Sequence, residues 1–162
     1  MAEINLLGRD EFTSALGAIF EDSAWIAERT WRHKPFASLD RLCELMSSEV
    51  EAARTEEQLA LLRAHPDLGT RAAVSRDSAR EQAGAGLDQL TANEYDQFVT
   101  LNNLYRAKFG FPFLYAVKGS DKFMILQALE QRLKNAPEEE FREALRQVYR
   151  IGRFRLEEKI EG

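Results

Sequence analysis

The hydrophobic positions along the chain repeat with a helical period. Near the start, apolar residues recur at steps of three and four, which places them on one face of a helix; they are Phe12, Leu16, Ile19 and Phe20. No long stretch alternates polar and apolar residues, and glycine and proline together make up only 13 of the 162 residues (9 plus 4). Since there is also no internal repeat or linker, the pattern predicts an all-α fold with one compact multi-helix domain over residues 1–162.

Helix-start and helix-stop signals divide the chain further. The candidate N-terminal caps, each a polar residue directly before an apolar helical pattern, are Ser23, Ser38, Thr55, Thr91 and the pair Ser120 and Asp121. Thr55 and Thr91 also open capping-box patterns. We expect the helix at Thr55 to end near Ala64, the helix at Thr91 to end at Gly110, and a last helix to run from Pro137 to about Lys159.

Two stretches do not fit a regular helix. Between Pro66 and Leu90 the helical period weakens and glycines cluster, which predicts an irregular, loop-containing region. The run Phe111–Val117 is apolar and aromatic and contains a proline, so it predicts a short extended segment or a buried turn. The helix that follows Asp121 presents an apolar pattern at Phe123, Leu126, Leu129 and Leu133, together with Glu130.

Composition excludes several classes of protein. The net charge of −5 argues against a nucleic-acid or general polyanion partner, because such proteins read phosphates through a basic face. Cys43 is the single cysteine, which excludes an internal disulfide and fits a reducing compartment. The sequence shows no signal peptide and no membrane-spanning run, and it does not end in a Ser-Lys-Leu peroxisomal address. We therefore expect a cytoplasmic protein without a membrane partner.

The last helix singles out one arginine. Its apolar face comprises Phe141, Ala144, Leu145, Val148 and Ile151, and four arginines project away from it, namely Arg142, Arg146, Arg150 and Arg153. Arg155 instead lies near the middle of the apolar face. A guanidinium that points inward stays charged and requires an anionic partner. Two interpretations are open at this point: a core ion pair, or a site that binds an anionic ligand.

The chain has only two histidines as candidates for acid–base chemistry near neutral pH. His33 is surrounded by cationic residues and is expected at the surface. His65 follows a predicted helix and precedes Pro66, so it is either a residue that caps the helix C-terminus or a fixed catalytic imidazole. Two histidines also argue against a multi-histidine metal centre.

A third candidate position is the pattern Ser78-Ala79-Arg80-Glu81. It matches the S/T-x-x-E capping box, which explains both polar residues structurally. The same helix start would offer backbone N–H groups to an anionic substrate, with Ser78, Glu81 and Gln82 clustered there. The chain contains no phosphate-binding loop, no dinucleotide glycine fingerprint and no nucleophile elbow.

Taken in order, the motifs resemble one family. They are His65-Pro66-Asp67-Leu68-Gly69, Ser78-x-x-Glu81-Gln82-x-x-Ala85-Gly86-Leu87, Leu101-Asn102-x-x-Tyr105-x-x-Lys108-Phe109-Gly110-Phe111-Pro112-Phe113 and Ile151-x-x-x-Arg155-Leu156. This combination is similar to 2-oxo-4-hydroxy-4-carboxy-5-ureidoimidazoline (OHCU) decarboxylase, and the similarity extends over nearly the whole chain.

The resemblance implies an all-helical enzyme without cofactor or metal, commonly a homodimer, that decarboxylates an anionic ureidoimidazoline to (S)-allantoin in urate breakdown. It assigns catalysis to His65, Glu81 and Arg155. It assigns substrate contacts to Pro66, Ser78, Gln82 and the main chain of Phe113, Leu114, Tyr115, Ala116 and Val117.

Two alternatives remain at this point. One is a helical binding module, in which an exposed Phe111–Val117 patch docks a partner and the polar residues are caps. The other is a decarboxylase of the same fold that acts on a related ureido or imidazoline acid. Trp25 and Trp31 are expected in the core, with an interface as the alternative.

Overall fold

The computed structural model describes residues 1–70 and 75–160, and these residues form nine α-helices and no strand. The helices are α1 (Ala2–Leu6), α2 (Arg9–Leu16), α3 (Trp25–Trp31), α4 (Leu39–Glu51), α5 (Thr55–Arg63), α6 (Arg76–Gly84), α7 (Ala92–Phe109), α8 (Lys122–Arg132) and α9 (Pro137–Ile160). The predicted all-α class is confirmed. None of the described helices is long and apolar enough to cross a membrane.

The chain forms two compact units. The first combines Met1–Ala64 with the part of α9 that begins at Tyr149, and the second is His65–Val148. Helix α9 therefore contributes to both. The single domain over residues 1–162 stays a prediction. The irregular region predicted between Pro66 and Leu90 contains α6, and its residues 71–74 lie outside the described part, as do the last two residues of the chain.

The core of the first unit contains the apolar residues that the helical period picked out. Phe12, Leu16, Ile19 and Phe20 are all buried. The helix itself is shorter than the pattern, because α2 ends at Leu16 and Gly17 follows as its C-cap. The ring of Phe12 stacks on that of Phe36 with centroids 5.6 Å apart, while Trp25 and Trp31 are half-buried rather than fully buried.

Local hydrogen bonds confirm three of the predicted caps. Ser38, Thr91 and Asp121 each accept a hydrogen bond from the backbone N–H three residues later, at 3.1, 3.2 and 2.9 Å. Glu94 completes the second capping box by accepting from the N–H of Thr91 at 2.9 Å. Gly110 then ends α7 with a left-handed φ of +79°, a conformation that glycine adopts without a steric penalty.

Two predicted caps are wrong. The hydroxyl of Ser23 donates to the carbonyl of Glu21 at 2.7 Å, and Ala24 is the N-cap of α3. Arg54 rather than Thr55 is the N-cap of α5, and its N–H donates to Glu57 at 3.3 Å. Gln58, the expected partner of Thr55, is buried and instead donates to the carbonyl of Val50 at 2.8 Å.

His33 lies at the surface, as expected, and contacts a buried carboxylate. Its Nε2 is 2.7 Å from Glu49, which also accepts from Arg32 at 2.9 Å. Burial of Glu49 would raise the pKa of its carboxyl, but the hydrogen bonds from His33 and Arg32 outweigh this effect and lower the pKa. His33 thus has a structural contact within the first unit.

In the second unit, the buried residues of α7 follow a helical period, whereas those of α8 differ from the residues that the sequence pattern predicts. Phe98, Asn102 and Tyr105 of α7 follow one another at steps of four and three residues, and all three are buried. For α8 the predicted stripe is partly wrong, since Ile125, Leu129 and Arg132 are the buried residues. Phe123, which opens the predicted stripe, is 66% exposed.

Candidate functional site

His65 is buried, and the loop after it is held by side chains of two helices. The carbonyl of Leu68 accepts from Nδ2 of Asn102 at 2.9 Å. The carboxylate of Asp67 accepts from Nε of Arg106, also at 2.9 Å. The N–H of Gly69 donates to Oε1 of Gln82 at 3.1 Å. Because α6 and α7 fix three successive residues, the backbone that leaves His65 has one defined course.

The start of α6 differs from the prediction. Ser75, not Ser78, is the N-cap, and its Oγ accepts from the N–H of Ser78 at 3.2 Å. The proposed capping box of Ser78 with Glu81 is therefore wrong, and the N–H of Ser78 already has a partner inside the protein. Ser78 lies in the first turn and Glu81 in the next, one helical turn apart.

Ser78, Glu81 and Gln82 still share one face of α6, because residues three and four positions apart lie on the same side of a helix. Ser78 and Gln82 are buried, and Glu81 is half-buried. The predicted cluster thus exists, but side chains rather than free helix N–H groups form it. Through Gln82 and Gly69 it is joined to the His65 loop.

The side-chain amide nitrogen of Gln82 donates to no described residue. Its side chain is more than nine-tenths buried, and its Oε1 accepts from the N–H of Gly69. No residue among 1–70 and 75–160 accepts a hydrogen bond from Nε2. A buried amide nitrogen without a partner is costly, so this donor is suited to a ligand that accepts a hydrogen bond.

The segment Phe111–Val117 is buried rather than exposed. Phe111, Phe113 and Leu114 are at most 3% exposed, and Ala116 and Val117 are also buried. The ring of Tyr105 packs edge-on against Phe111 and Phe113, with centroids 5.9 and 5.5 Å apart. The binding-module alternative requires these aromatic side chains at the surface, so the structure removes its main support.

Two main-chain groups of this segment are bonded to side chains. The carbonyl of Leu114 accepts from Nη1 of Arg132. The N–H of Ala116 donates to Oε1 of Gln147 at 2.9 Å. Of the five residues expected to contact substrate here, Leu114 and Ala116 therefore each have one main-chain group that is already engaged within the protein.

Arg155 points inward, as the helical projection predicted. It is 4% exposed, and it donates to the carbonyl of Ile19 at 3.1 Å and to Glu21 at 3.0 Å. Glu21 is itself buried. The four other arginines of α9 are exposed, as expected. The core ion pair is thus present in the first unit, and the guanidinium remains a buried positive charge.

Gly152 allows α9 to pass close to the residues that Arg155 contacts. A Cβ at this position would lie 2.8 Å from the ring atoms Cε1 and Cζ of Phe20, which is buried. We expect Gly152→Ala to lower the free energy of unfolding by about 1–3 kcal/mol, although alanine is the better helix former by about 1 kcal/mol. Urea unfolding followed by circular dichroism measures this. An unchanged or increased stability would show that the ring can move aside.

Several polar residues that support these elements belong to none of the sequence motifs above. They are Arg132, Glu140 and Gln147; all three are buried. Glu140 lies four residues before Ala144, on the apolar face of α9, so the projection that found Arg155 could also have found Glu140. Arg132 follows Leu129 by three residues in the same way. A charged residue on an apolar face was the available signal.

Comparisons with known proteins agree over nearly the whole chain. The family model described as OHCU decarboxylase matches residues 5–157. A 2-oxo-4-hydroxy-4-carboxy-5-ureidoimidazoline decarboxylase of Halalkalicoccus jeotgali is 46% identical over 156 residues, which cover 96% of this chain and 89% of that protein. The uric acid degradation bifunctional protein PucL of Bacillus subtilis is 48% identical over 99% of this chain, which spans 32% of PucL.

A solved structure shares the fold. The crystal structure of (S)-allantoin synthase has a TM-score of 0.81 and 33% sequence identity, covering 98% of this chain. This chain spans about half, 53%, of the length of that one.

Proposed function

The chain belongs to the OHCU decarboxylase family, and on this premise we propose that it converts 2-oxo-4-hydroxy-4-carboxy-5-ureidoimidazoline to (S)-allantoin and carbon dioxide in urate degradation. The observation that carries this proposal is the match to named decarboxylases over 96% of the chain. The buried amide nitrogen of Gln82, which has no partner among the described residues, supports it, because the substrate class is rich in carbonyl acceptors.

The reaction sets requirements that the proposed residues can meet. Loss of carbon dioxide from a carbon bonded to nitrogen and conjugated to a carbonyl leaves an enolate-like anion. The enzyme must hold the carboxylate, stabilise the negative charge and deliver a proton to one face. We assign proton transfer to His65, orientation of His65 or of a ring amide to Glu81, and stabilisation of developing negative charge to Arg155.

The contacts of the described residues support this assignment most directly for His65. His65 is buried at the start of a loop whose next residues are fixed by Asn102, Arg106 and Gln82. A fixed imidazole loses little freedom when a substrate binds. Arg155 is a buried positive charge that is paired with Glu21 at 3.0 Å. To stabilise a developing anion, it would have to share or exchange that partner for the substrate.

Ring recognition is proposed for side chains and main chain together. Pro66, Ser78 and Gln82 would contact the ring, and main-chain groups of Phe113–Val117 would hold the ring or ureido amides. Four of the five residues of this segment are buried and Tyr115 is half-buried, which limits the water that would compete for those hydrogen bonds. A ring held from several sides is protonated on one face, which yields a single enantiomer.

The test is to follow allantoin by circular dichroism. Urate is converted by uricase and hydroxyisourate hydrolase with and without this protein, so that the unstable substrate forms in the cuvette. We expect rapid formation of one-handed allantoin only when the protein is present. A racemic product at the spontaneous rate would contradict the proposed reaction and favour a related ureido or imidazoline acid as substrate.

We also propose a homodimer. Three large apolar side chains of the second unit are exposed: Leu104 by 53%, Phe123 by 66% and Met124 by 49%. Burying such side chains between two copies is favourable by roughly 25 cal/mol per Å² of apolar surface.

Light scattering after size exclusion should give a mass of twice 18.5 kDa. Replacing Phe123 with serine should shift the mass toward the monomer, whereas Leu6→Ser, on the exposed α1, should not. A wild-type monomer at micromolar concentration would contradict the dimer.

A cytoplasmic location is proposed as well. The single half-buried cysteine, Cys43, fits a reducing compartment. Cell fractionation followed by detection of the protein tests this, and recovery outside the cytoplasmic fraction would contradict it.

A further inference from the structure

Side chains of α8 and α9 fix two peptide groups of the Phe113–Val117 segment. Arg132 on α8 donates to the carbonyl of Leu114. Gln147 on α9 accepts from the N–H of Ala116 at 2.9 Å. The residue between these two bonds is Tyr115. Both peptide bonds next to Tyr115 are trans, since Lys34–Pro35 is the cis bond found in the described residues.

Peptide planarity determines where the main chain of Tyr115 points. In a trans peptide the N–H lies antiparallel to the carbonyl of the preceding residue. The N–H of Tyr115 therefore points away from Arg132, because the Leu114 carbonyl points toward Arg132. By the same geometry, the carbonyl of Tyr115 points away from Gln147.

These two groups have no protein partner in the described part of the chain. Neither the main-chain N–H nor the carbonyl of Tyr115 forms a hydrogen bond there, and its hydroxyl lies 3.0 Å from Oγ of Ser120. The flanking residues Leu114 and Ala116 are 2% and 3% exposed. Tyr115 itself is half-buried, so its main-chain donor and acceptor are available to a partner from outside the chain. A ligand amide would pair both of them.

Arg132 is held firmly enough to fix the Leu114 carbonyl. Its Nε donates to Glu140 at 2.5 Å, and its guanidinium lies 4.5 Å from the centroid of the Phe113 ring. Glu140 is fully buried and also accepts from the hydroxyl of Tyr105 at 2.7 Å. Burial raises the pKa of Tyr105, and the hydrogen bond to Glu140 adds to this effect, so the phenol remains a donor.

Gln147 has a defined orientation for a similar reason. Its Nε2 donates to Glu143 at 2.8 Å. Burial of Glu143 would raise the pKa of its carboxyl, but hydrogen bonds from Gln147 and Arg146 lower it, so the group accepts hydrogen bonds at neutral pH. Because the amide nitrogen of Gln147 already donates to Glu143, its oxygen is the atom that faces the N–H of Ala116.

We propose that Arg132 and Gln147 are positioning residues for substrate: they clamp the peptide groups on both sides of Tyr115, so that the N–H and carbonyl of Tyr115 bind an amide of the substrate. This inference rests on the proposed function. A ureido or ring amide carries one N–H donor and one carbonyl acceptor, the reciprocal of what Tyr115 presents. We call Arg132, Gln147 and the two peptide groups that they hold the clamp. The clamp selects an amide because a reversed peptide group would present an acceptor in place of a donor, or a donor in place of an acceptor.

The experiment compares two variants at Gln147. Gln147→Leu removes the acceptor for the Ala116 N–H. The exchanged pair Glu143→Gln with Gln147→Glu keeps an acceptor facing Ala116 and an amide–carboxylate hydrogen bond between the two positions. With substrate generated from urate in the cuvette, we expect Gln147→Leu to raise KM about tenfold, the equivalent of one hydrogen bond, with kcat within about threefold. The exchanged pair should restore KM.

A second measurement does not depend on turnover. The backbone amide resonance of Tyr115 is followed by nuclear magnetic resonance while (S)-allantoin is added. In the wild type this resonance should shift and saturate. In Gln147→Leu, saturation should need about tenfold more allantoin, while the thermal midpoint of each variant reports loss of folding separately.

The outcomes distinguish the clamp from the reaction. If Gln147→Leu lowers the thermal midpoint but leaves KM and the allantoin titration unchanged, Gln147 is merely structural and the clamp is overturned. The clamp is also overturned if the Tyr115 resonance does not respond to allantoin in the wild type. If the wild type forms no one-handed allantoin, the proposed function fails, and the clamp fails with it.

Discussion

Replacing His65 with alanine is expected to lower kcat for allantoin formation by about 10²–10⁴-fold, the usual contribution of a positioned acid–base group. His65 is buried at 4% exposure, at the start of a loop that Asn102 and Gln82 hold in place. Removing the imidazole leaves that backbone in place. The loss should therefore appear in kcat while the fold is retained, as judged by circular dichroism.

The chain supplies a matched control for this variant. His33 is the other histidine, and it lies at the surface against Glu49. His33→Ala should leave kcat and KM near the wild-type values. His65→Asn keeps a side chain of similar polarity that cannot transfer a proton near neutral pH, so it should be as impaired as His65→Ala. Wild-type turnover in both His65 variants would exclude His65 from catalysis.

Local signals in the sequence predicted much of the fold. Ser38, Thr91 and Asp121 were identified as caps because a cap depends only on the first turn of its own helix. The same locality explains the error at α6. Ser75 and Ser78 are both good capping residues one turn apart, and the sequence offers no local reason to prefer either.

The buried polar residues were harder to predict because their partners are distant in sequence. Arg155 was found, since its position on one helical face is a local property. Its partner Glu21 was not, because the pair spans more than a hundred residues. On α8, a hydrophobicity pattern placed Phe123 inward and gave no reason to bury Arg132. The contacts of Arg132 with Glu140 on α9 and with Leu114 and Phe113, all of which lie outside α8, explain why that arginine is inside.

In the candidate site, too, the sequence indicates local features and does not indicate contacts between distant residues. The motifs identified His65, Glu81 and Gln82 by type and order. They did not indicate that Gln82 uses its oxygen to hold Gly69 and keeps its nitrogen for another partner. Nor did they indicate which main-chain groups between Phe113 and Val117 are already engaged. Those facts depend on side-chain directions, which a one-dimensional pattern does not contain.

Replacing Arg132 with methionine is expected to lower the free energy of unfolding by about 3–5 kcal/mol, because removing one partner of a buried ion pair leaves the other charge uncompensated. Glu140 is fully buried, and among the described residues it would retain the hydroxyl of Tyr105 and Nδ2 of Asn135 as donors. Methionine fills most of the volume, so lost packing is a minor part of the cost. Urea unfolding followed by circular dichroism measures the effect.

A second substitution separates charge from packing. Adding Glu140→Gln to Arg132→Met removes the unpaired carboxylate charge and keeps an oxygen that accepts a hydrogen bond from Tyr105. The double variant should recover more than half of the lost stability, since the cost of a buried ion pair lies mainly in its unpaired state. Arg142→Met, at an exposed position of α9, should change stability by less than about 0.5 kcal/mol. If the double variant were no more stable than Arg132→Met alone, the burial of an unpaired carboxylate would not be the cause. The role of Arg132 would then lie in its contacts with Leu114 and Phe113, which both variants lose equally.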